Sequence, residues 1–201
     1  MSYANWLQPN KTSGSGNDTV NVSALTSNTG RNSRSTTVTF KAANCDDVLR
    51  TVLQQGKPET SAIQSTAASE STGGTVTITG TSNSSKLTFS LGTGTLQLSL
   101  PSSYTAAGIT TNNGAAITGD PGAVQEYNFS IALTVPANGD IESKSRQIIV
   151  TDNAGNAYTC TLTLAAGAAY LTVSQPSGDI PWDASSSVSI TVTSNTNWSV
   201  E

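Results

Sequence analysis

The chain has 201 residues, a formal net charge of −4 and no histidine. Its length fits one large domain or two ordinary ones. The nine Lys and Arg residues are scattered, so the chain lacks the concentrated positive charge that nucleic-acid binding requires. No apolar run approaches the roughly 20 residues that span a bilayer. We therefore expect no nucleic-acid partner and no membrane insertion.

The absence of histidine bears directly on catalysis. It removes the commonest general base, the serine and cysteine triads and most zinc sites. The 13 acidic residues follow no motif, and a glycosidase-type carboxylate pair is the one catalytic arrangement left open. The Asp152–Gly155 turn offers one carboxylate, too few for calcium. We expect a protein that is not an enzyme and that has no metal and no cofactor.

The strand pattern is the strongest local signal. Ser and Thr together number 60 and only 11% of residues are charged, a composition typical of β-rich modules. Short segments with period-two alternation recur roughly every 10 to 15 residues, which is the pattern of an antiparallel sandwich. In chain order the predicted strands are 19–25, 35–42, 47–54, 75–80, 86–91, 95–100, 126–135, 146–151, 157–164, 170–174 and 188–193.

The stretch from Tyr104 to Val124 interrupts this alternation and is predicted to be a long loop. Long loops in compact domains are often functional. Tyr104, Asn112 and Asn113 are therefore candidate contacts for a glycan or another partner. A solvated insertion is the alternative interpretation.

The two cysteines, Cys45 and Cys160, do not occupy equivalent places. Cys160 falls on the apolar face of an alternating run and is predicted to be a core residue, whereas Cys45 lies in a polar turn. We expect no disulfide between them.

The chain also repeats itself at a long and nearly constant spacing. The segment Val188–Asn195 matches Val76–Asn83, and Asn28 and Arg34 recur as Asn138 and Arg146. Such self-similarity is the signature of repeated modules. It predicts the back half of a module over residues 1–59, a complete module over 60–168 and a front half over 169–201.

Joined end to start, the terminal segments resemble the BACON family of immunoglobulin-like modules, found in Bacteroidetes glycan-handling proteins and in phages that infect those bacteria. The resemblance rests on Asn195 and Trp198, Trp6, Gly14 and Gly16, Asn28 and Arg34, and Gln55-Gly56. The middle module departs from the pattern, because Lys86 stands where the first Trp should be. The resemblance implies an all-β fold of tandem sandwiches, one complete and one split between the two chain ends.

The family name suggests carbohydrate binding, for which aromatic rings are the usual stacking surfaces. A Trp beside a strand end, such as Trp6 or Trp198, more often fills a core. Trp182, just before the last strand, is the better candidate for an exposed glycan contact.

The split module suggests how copies of the chain associate. Each half module would leave unpaired strand edges and an open apolar face, which proteins normally cover. The linkers 56–60 and 165–169 reach about 15 Å each, too little to span a middle module of about 35 to 40 Å. We therefore expect residues 169–201 of one chain to complete residues 1–59 of a neighbour, placing Glu201 near Ser2. The joint residues would be Tyr3, Trp6, Asn195, Trp198 and Val200.

These expectations combine into a hypothesis about function. The leading one is a non-enzymatic phage virion protein, a capsid auxiliary or decoration protein that assembles head to tail by strand complementation. Its partners would be itself and a major capsid protein or another virion protein, at the capsid surface. One alternative is a carbohydrate-binding module of a Bacteroidetes cell-surface protein, and another is a fibre or adhesin subunit.

Overall fold

The structure is a computed structural model that describes residues 3–120, 122–174, 178–180, 182–185 and 187–201. Over these residues the chain forms strands and turns and no helix, so no helix there could cross a membrane. The strands are β1 (Leu7–Pro9), β2 (Val22–Ala24), β3 (Arg34–Phe40), β4 (Val48–Gln54), β5 (Ser61–Ile63), β6 (Thr66–Ser69), β7 (Gly74–Ser82), β8 (Leu87–Gly94), β9 (Ser103–Ala106), β10 (Ile109–Asn112), β11 (Tyr127–Val135), β12 (Lys144–Asp152), β13 (Ala157–Leu164), β14 (Leu171–Val173) and β15 (Val192–Ser194).

Strands β5 to β13 form a two-layer sandwich, which we call the middle module. One sheet has the strand order β10-β9-β11-β7-β5, and the other has the order β6-β13-β12-β8. Strand β6 runs parallel to β13. The long strand β7 pairs antiparallel with β11 in one sheet, and β12 pairs antiparallel with β13 in the other. Along β11 the residues alternate between buried and more exposed positions, so period-two patterning turns one face of the sheet toward the core. Phe129, Ile78 and Leu162 lie at the centre of that core.

The flanking segments form much smaller sheets. Residues 3–59, the N-terminal segment, contain two antiparallel pairs, β1 with β2 and β3 with β4. Their core consists of Trp6, Leu7 and Val38. Residues 169–201, the C-terminal segment, contain the pair β14 with β15, and all three residues of β14 are exposed. The all-β, sandwich-based fold predicted from the sequence is thus confirmed.

The repeat is visible in the strand registers. In the hairpin of β3 and β4, Val38 lies opposite Arg50, and in the hairpin of β12 and β13, Ile148 lies opposite Cys160. The turns that close the two hairpins match at the same displacement, because the Cys45 N–H bonds to the Ala42 carbonyl oxygen and the Gly155 N–H to the Asp152 carbonyl oxygen. The two hairpins therefore have one register, in which Phe40 corresponds to Val150. Similarly, Leu171 pairs with Ser194 as Ser61 pairs with Ser82. The C-terminal pair therefore corresponds to β5 and β7 of the middle module.

Two predicted elements in the middle module were wrong. The predicted strand 95–100 does not form, although Leu96 is buried and Leu98 and Leu100 pack against the core. Their alternation reflects side-chain packing without a backbone ladder. The predicted loop 104–124 instead contains the hairpin of β9 and β10, and β9 joins the sheet beside β11. Its small and polar residues concealed this strand signal.

Candidate functional site

The strand edges of the N-terminal segment are open. In the middle module the hairpin of β12 and β13 is flanked by β8 on one side and by β6 on the other. The matching hairpin of β3 and β4 has no strand on either side among the residues that the structure describes. An unpaired edge presents free N–H and C=O groups to any strand that can reach it.

The apolar faces of both flanking segments are open as well. Phe40 is 41% exposed, whereas its counterpart Val150 is fully buried (0%). In the C-terminal segment, Ile190 is 50% exposed, whereas its counterpart Ile78 is fully buried (0%). These positions would be core positions if the sandwich were complete. Further exposed apolar residues of the two segments are Leu25, Val48, Leu49, Leu53, Tyr170, Leu171, Val173, Ile180, Trp182, Trp198 and Val200.

The two tryptophans of the family pattern have different surroundings. Trp6 is 7% exposed, and the Arg34 guanidinium stacks on its ring at 4.8 Å. Tyr3 packs against the same cluster, so both aromatic residues belong to the core of the N-terminal segment. Trp198 is 53% exposed, and Val200 is exposed beside it. Ser2, which we expected near Glu201 of a neighbour, lies outside the described residues.

Asn195, predicted at the joint between chains, holds the linker of its own chain. Its Oδ1 accepts a hydrogen bond from the Tyr170 N–H at 3.0 Å. Its Nδ2 donates to the carbonyl oxygens of Ala168 at 2.9 Å and Gly139 at 3.0 Å. The side chain therefore orders the passage from the middle module to the C-terminal segment. Both polar atoms of the Asn195 side chain are thus hydrogen-bonded within their own chain.

The same clamp holds the first linker. Asn83 is the counterpart of Asn195 in the sequence repeat, and its Oδ1 accepts from the Thr60 N–H at 2.7 Å. Its Nδ2 donates to the Pro58 carbonyl oxygen at 3.1 Å. Asn83 is completely buried, and these bonds satisfy its amide. In the sequence, the only sign of this shared role was that Ser82-Asn83 recurs as Ser194-Asn195.

A glycine completes each clamp. The Lys57 N–H bonds to the Gly30 carbonyl oxygen, and the Gly167 N–H bonds to the Asp140 carbonyl oxygen, each at 2.7 Å. A side chain at Gly56 would overlap the backbone of Arg31, and one at Gly167 would overlap the Asn138 carbonyl oxygen. Each approach of linker to turn leaves no room for a side chain, so it requires glycine. Both linkers lie close against a turn, although the glycine stands one place before the bonded N–H in the first linker and at that N–H in the second.

The first linker has an additional ionic contact. The Arg31 guanidinium donates to both carboxylate oxygens of Asp120, at 2.5 and 2.7 Å. It also pairs with Glu59 at 2.8 Å and donates to the Asn83 carbonyl oxygen at 2.6 Å. The hydrogen bond from Arg31 holds the pKa of Asp120 below its ordinary value of 3.8. Asp120 belongs to the segment that was predicted to contact a partner, and here it ties the middle module to the N-terminal segment.

Two of the three other candidates in that segment are structural. Tyr104 is 3% exposed and packs its ring 5.0 Å from that of Phe89, so its prediction as a surface contact was wrong. The Asn113 side chain bonds to both the N–H and the C=O of Phe89. Asn112 is exposed on β10. Trp182 is 98% exposed, as expected for a contact residue.

Together, the two-layer module and its incomplete neighbours define a protein of the immunoglobulin-like β-sandwich class. Residues 1–54 match the family model described as "BACON: Putative binding domain, N-terminal". The BACON resemblance is thus confirmed for this segment of the chain.

The chain was also compared with curated proteins and with solved structures. No curated protein matches the chain. Among solved structures, the chain is similar to an endo-fucoidan hydrolase from glycoside hydrolase family 107, with 14% identity and a TM-score of 0.24. That alignment covers 82% of this chain and 22% of the hydrolase. A similarity of this size supports no statement about activity.

We predict that Asp120→Asn lowers the free energy of unfolding at neutral pH by roughly 1 kcal/mol, because it removes a two-point ion pair. A carboxylate with a lowered folded-state pKa stabilises the fold above its ordinary pKa, and the effect is lost as pH falls through the lowered value. The difference between wild type and variant should therefore shrink below pH 3.8. Denaturant titrations from pH 7 to pH 2 measure it.

Glu126→Gln is the matched control, since it removes the same charge from an exposed carboxylate near Asp120 in the sequence. It should change stability little at any pH. A destabilisation by Asp120→Asn that stays constant down to pH 2 would contradict the role given to the ion pair.

Proposed function

We propose that this chain is a non-enzymatic assembly protein whose two incomplete modules complete each other between neighbouring copies. One observation carries the proposal. Apolar residues of the flanking segments are half exposed at positions whose counterparts in the middle module are buried, Phe40 against Val150 and Ile190 against Ile78. Fully burying a side chain of this kind is worth about 1.5–3 kcal/mol. Joining the two segments would bury several of them at once.

A second copy is the partner that fits both segments. The C-terminal segment corresponds to β5 and β7, and the N-terminal segment contains the counterparts of β12 and β13. In the middle module these elements form one sandwich. Over their described residues, each segment therefore presents elements that the other does not, and a second copy of the chain presents both.

The placement of the linkers favours a joint between chains over closure within one chain. The first linker is clamped by Asn83, directly after the end of β7. The second is clamped beside Gly139, in the turn after β11, whose last residue Val135 pairs with Gly74 at the start of β7. The nine residues of β7 separate these points by about 30 Å. Clamped linkers at opposite ends of a module direct the two segments away from each other.

We expect Ile190→Asp to reduce self-association at least tenfold in dissociation constant, because a charge would enter the joint core. The change should leave the thermal unfolding of the middle module unaltered, since Ile190 is half exposed in the single chain. Light scattering over a concentration series measures the association.

The control for this experiment is Val124→Asp, which puts the same charge at an exposed apolar position of the middle module. It should associate like the wild type. The proposal would be wrong if the wild-type chain stays monomeric at micromolar concentration. It would also be wrong if the two variants associate equally.

The setting we propose is the surface of a phage virion, where the chain would serve as a capsid auxiliary protein. Support comes from the resemblance to modules of phages of Bacteroidetes and from the assembly proposed above. If the setting is right, antibodies against the chain should label the capsids of intact phage particles. Label found only on the surface of the bacterial cell would point to the cell-surface alternative.

A specific observation also favours a second function, carbohydrate binding. Trp182 is 98% exposed, and an indole ring open to solvent is a suitable platform for a sugar ring. The family model that matches residues 1–54, outside which Trp182 lies, is described as a "Putative binding domain". The two functions are compatible, because Trp182 is not part of either linker clamp.

Trp182→Ala should abolish binding on a glycan array, at a loss of roughly 1–3 kcal/mol for a stacking contact. Trp198→Ala is the matched control: it should retain glycan binding and weaken self-association instead. Unchanged binding by Trp182→Ala, or no glycan signal from the wild type, would contradict this second function.

A further inference from the structure

The free edge of β3 defines a place for one particular strand. In the middle module, β8 pairs with the corresponding edge of β12, antiparallel, with Phe89 opposite Val150 and Leu87 opposite Asp152. The matching turns that close the two hairpins show that Val150 corresponds to Phe40. The missing strand should therefore pair with Phe40, the last residue of β3, and continue alongside Lys41 and Ala42, which follow it.

The residues after Asn195 lead toward that strand. The Ser194 hydroxyl donates to the Tyr170 carbonyl oxygen and accepts from the Thr196 N–H. Ser82 makes the same pair of bonds with Thr60 and Ser84. The C-terminal segment thus follows the path of the middle module through Thr196. The next residues of the middle module form β8.

Two registers are open to residues 198–201, and burial decides between them. In the first register, the displacement between Asn83 and Asn195 continues unchanged to the end of the chain. Val200 then takes the position of Thr88, which faces outward, and Glu201 takes the buried position of Phe89. A slip by one residue moves every side chain to the other face. With a displacement shorter by one, Trp198 and Val200 instead take the buried positions of Leu87 and Phe89.

Building on the proposed assembly, we propose that Trp198 to Val200 of one copy add as an edge strand beside the end of β3 and the two residues that follow it in the next copy, with Trp198 opposite Ala42 and Val200 opposite Phe40. The strand is antiparallel, and Ser199 lies opposite Lys41 on the outer face. Trp198 and Val200, which are exposed in the single chain, then enter the shared core. The omitted residue shortens the turn before the strand relative to Ser84–Lys86.

Cysteine cross-linking tests this register on the full chain. In a Cys45→Ser background, Ser199→Cys with Lys41→Cys places two outward side chains on directly opposed residues, close enough between Cα atoms for a disulfide to form without backbone movement. Oxidation should give a ladder of covalent multimers. Replacing Lys41 removes only an exposed ion pair with Asp47, a small loss.

Two double variants serve as controls in the same background. Ser199→Cys with Thr39→Cys shifts one cysteine by two residues, about 6.6 Å along the strand, and should form roughly tenfold less multimer. Val200→Cys with Lys41→Cys is opposed only in the alternative register and should cross-link equally poorly.

The outcomes separate the register from the assembly itself. Efficient cross-linking of Val200→Cys with Lys41→Cys would overturn the register and leave the assembly unaffected. The same conclusion would follow if the variants associate by light scattering but none of them cross-links. Variants that remain monomeric when reduced, or that cross-link only within one chain, would overturn both.

Discussion

A β-sheet needs its edges paired or protected and its apolar face covered, and this requirement governs the whole chain. The middle module meets it: two sheets cover each other, and β8 and β6 flank the central hairpin. Among the residues that the structure describes, the flanking segments contain parts of the same architecture without strands beside the hairpin of β3 and β4. Their exposed apolar residues, such as Phe40 and Ile190, mark where those strands belong. The proposed assembly follows from this deficit.

The linkers determine what kind of assembly the deficit would produce. Asn83 and Asn195 clamp successive linkers with equivalent hydrogen bonds, and Gly56 and Gly167 each permit a close approach of the linker to a turn. Successive modules are therefore held by one recurring joint. A head-to-tail contact between such units is heterologous, and it closes into a ring or continues as an open filament. The Arg31–Asp120 pair stiffens the first linker further.

The sequence predicted the fold well where alternation and backbone pairing coincide. The long strands β7, β11, β12 and β13 were found because each has one buried face, but β5 and β6 were too short to show a period. Residue type alone did not predict burial where the neighbouring strands determine it. Trp6 is buried and Trp198 is half exposed, although both belong to one family pattern. Tyr104 looked like a surface contact because its strand neighbours are small and polar. The clamp role of Asn195 requires knowing which carbonyl groups the fold brings near it.

The most direct test of mutual completion is a structure of the associated protein by electron cryomicroscopy. The account predicts that Trp198 of one copy is buried against the hairpin of β3 and β4 of the next copy, with a strand paired along the free edge of β3. Association through other surfaces, with Trp198 still exposed and that edge still unpaired, would contradict it. So would closure of the split module within a single chain.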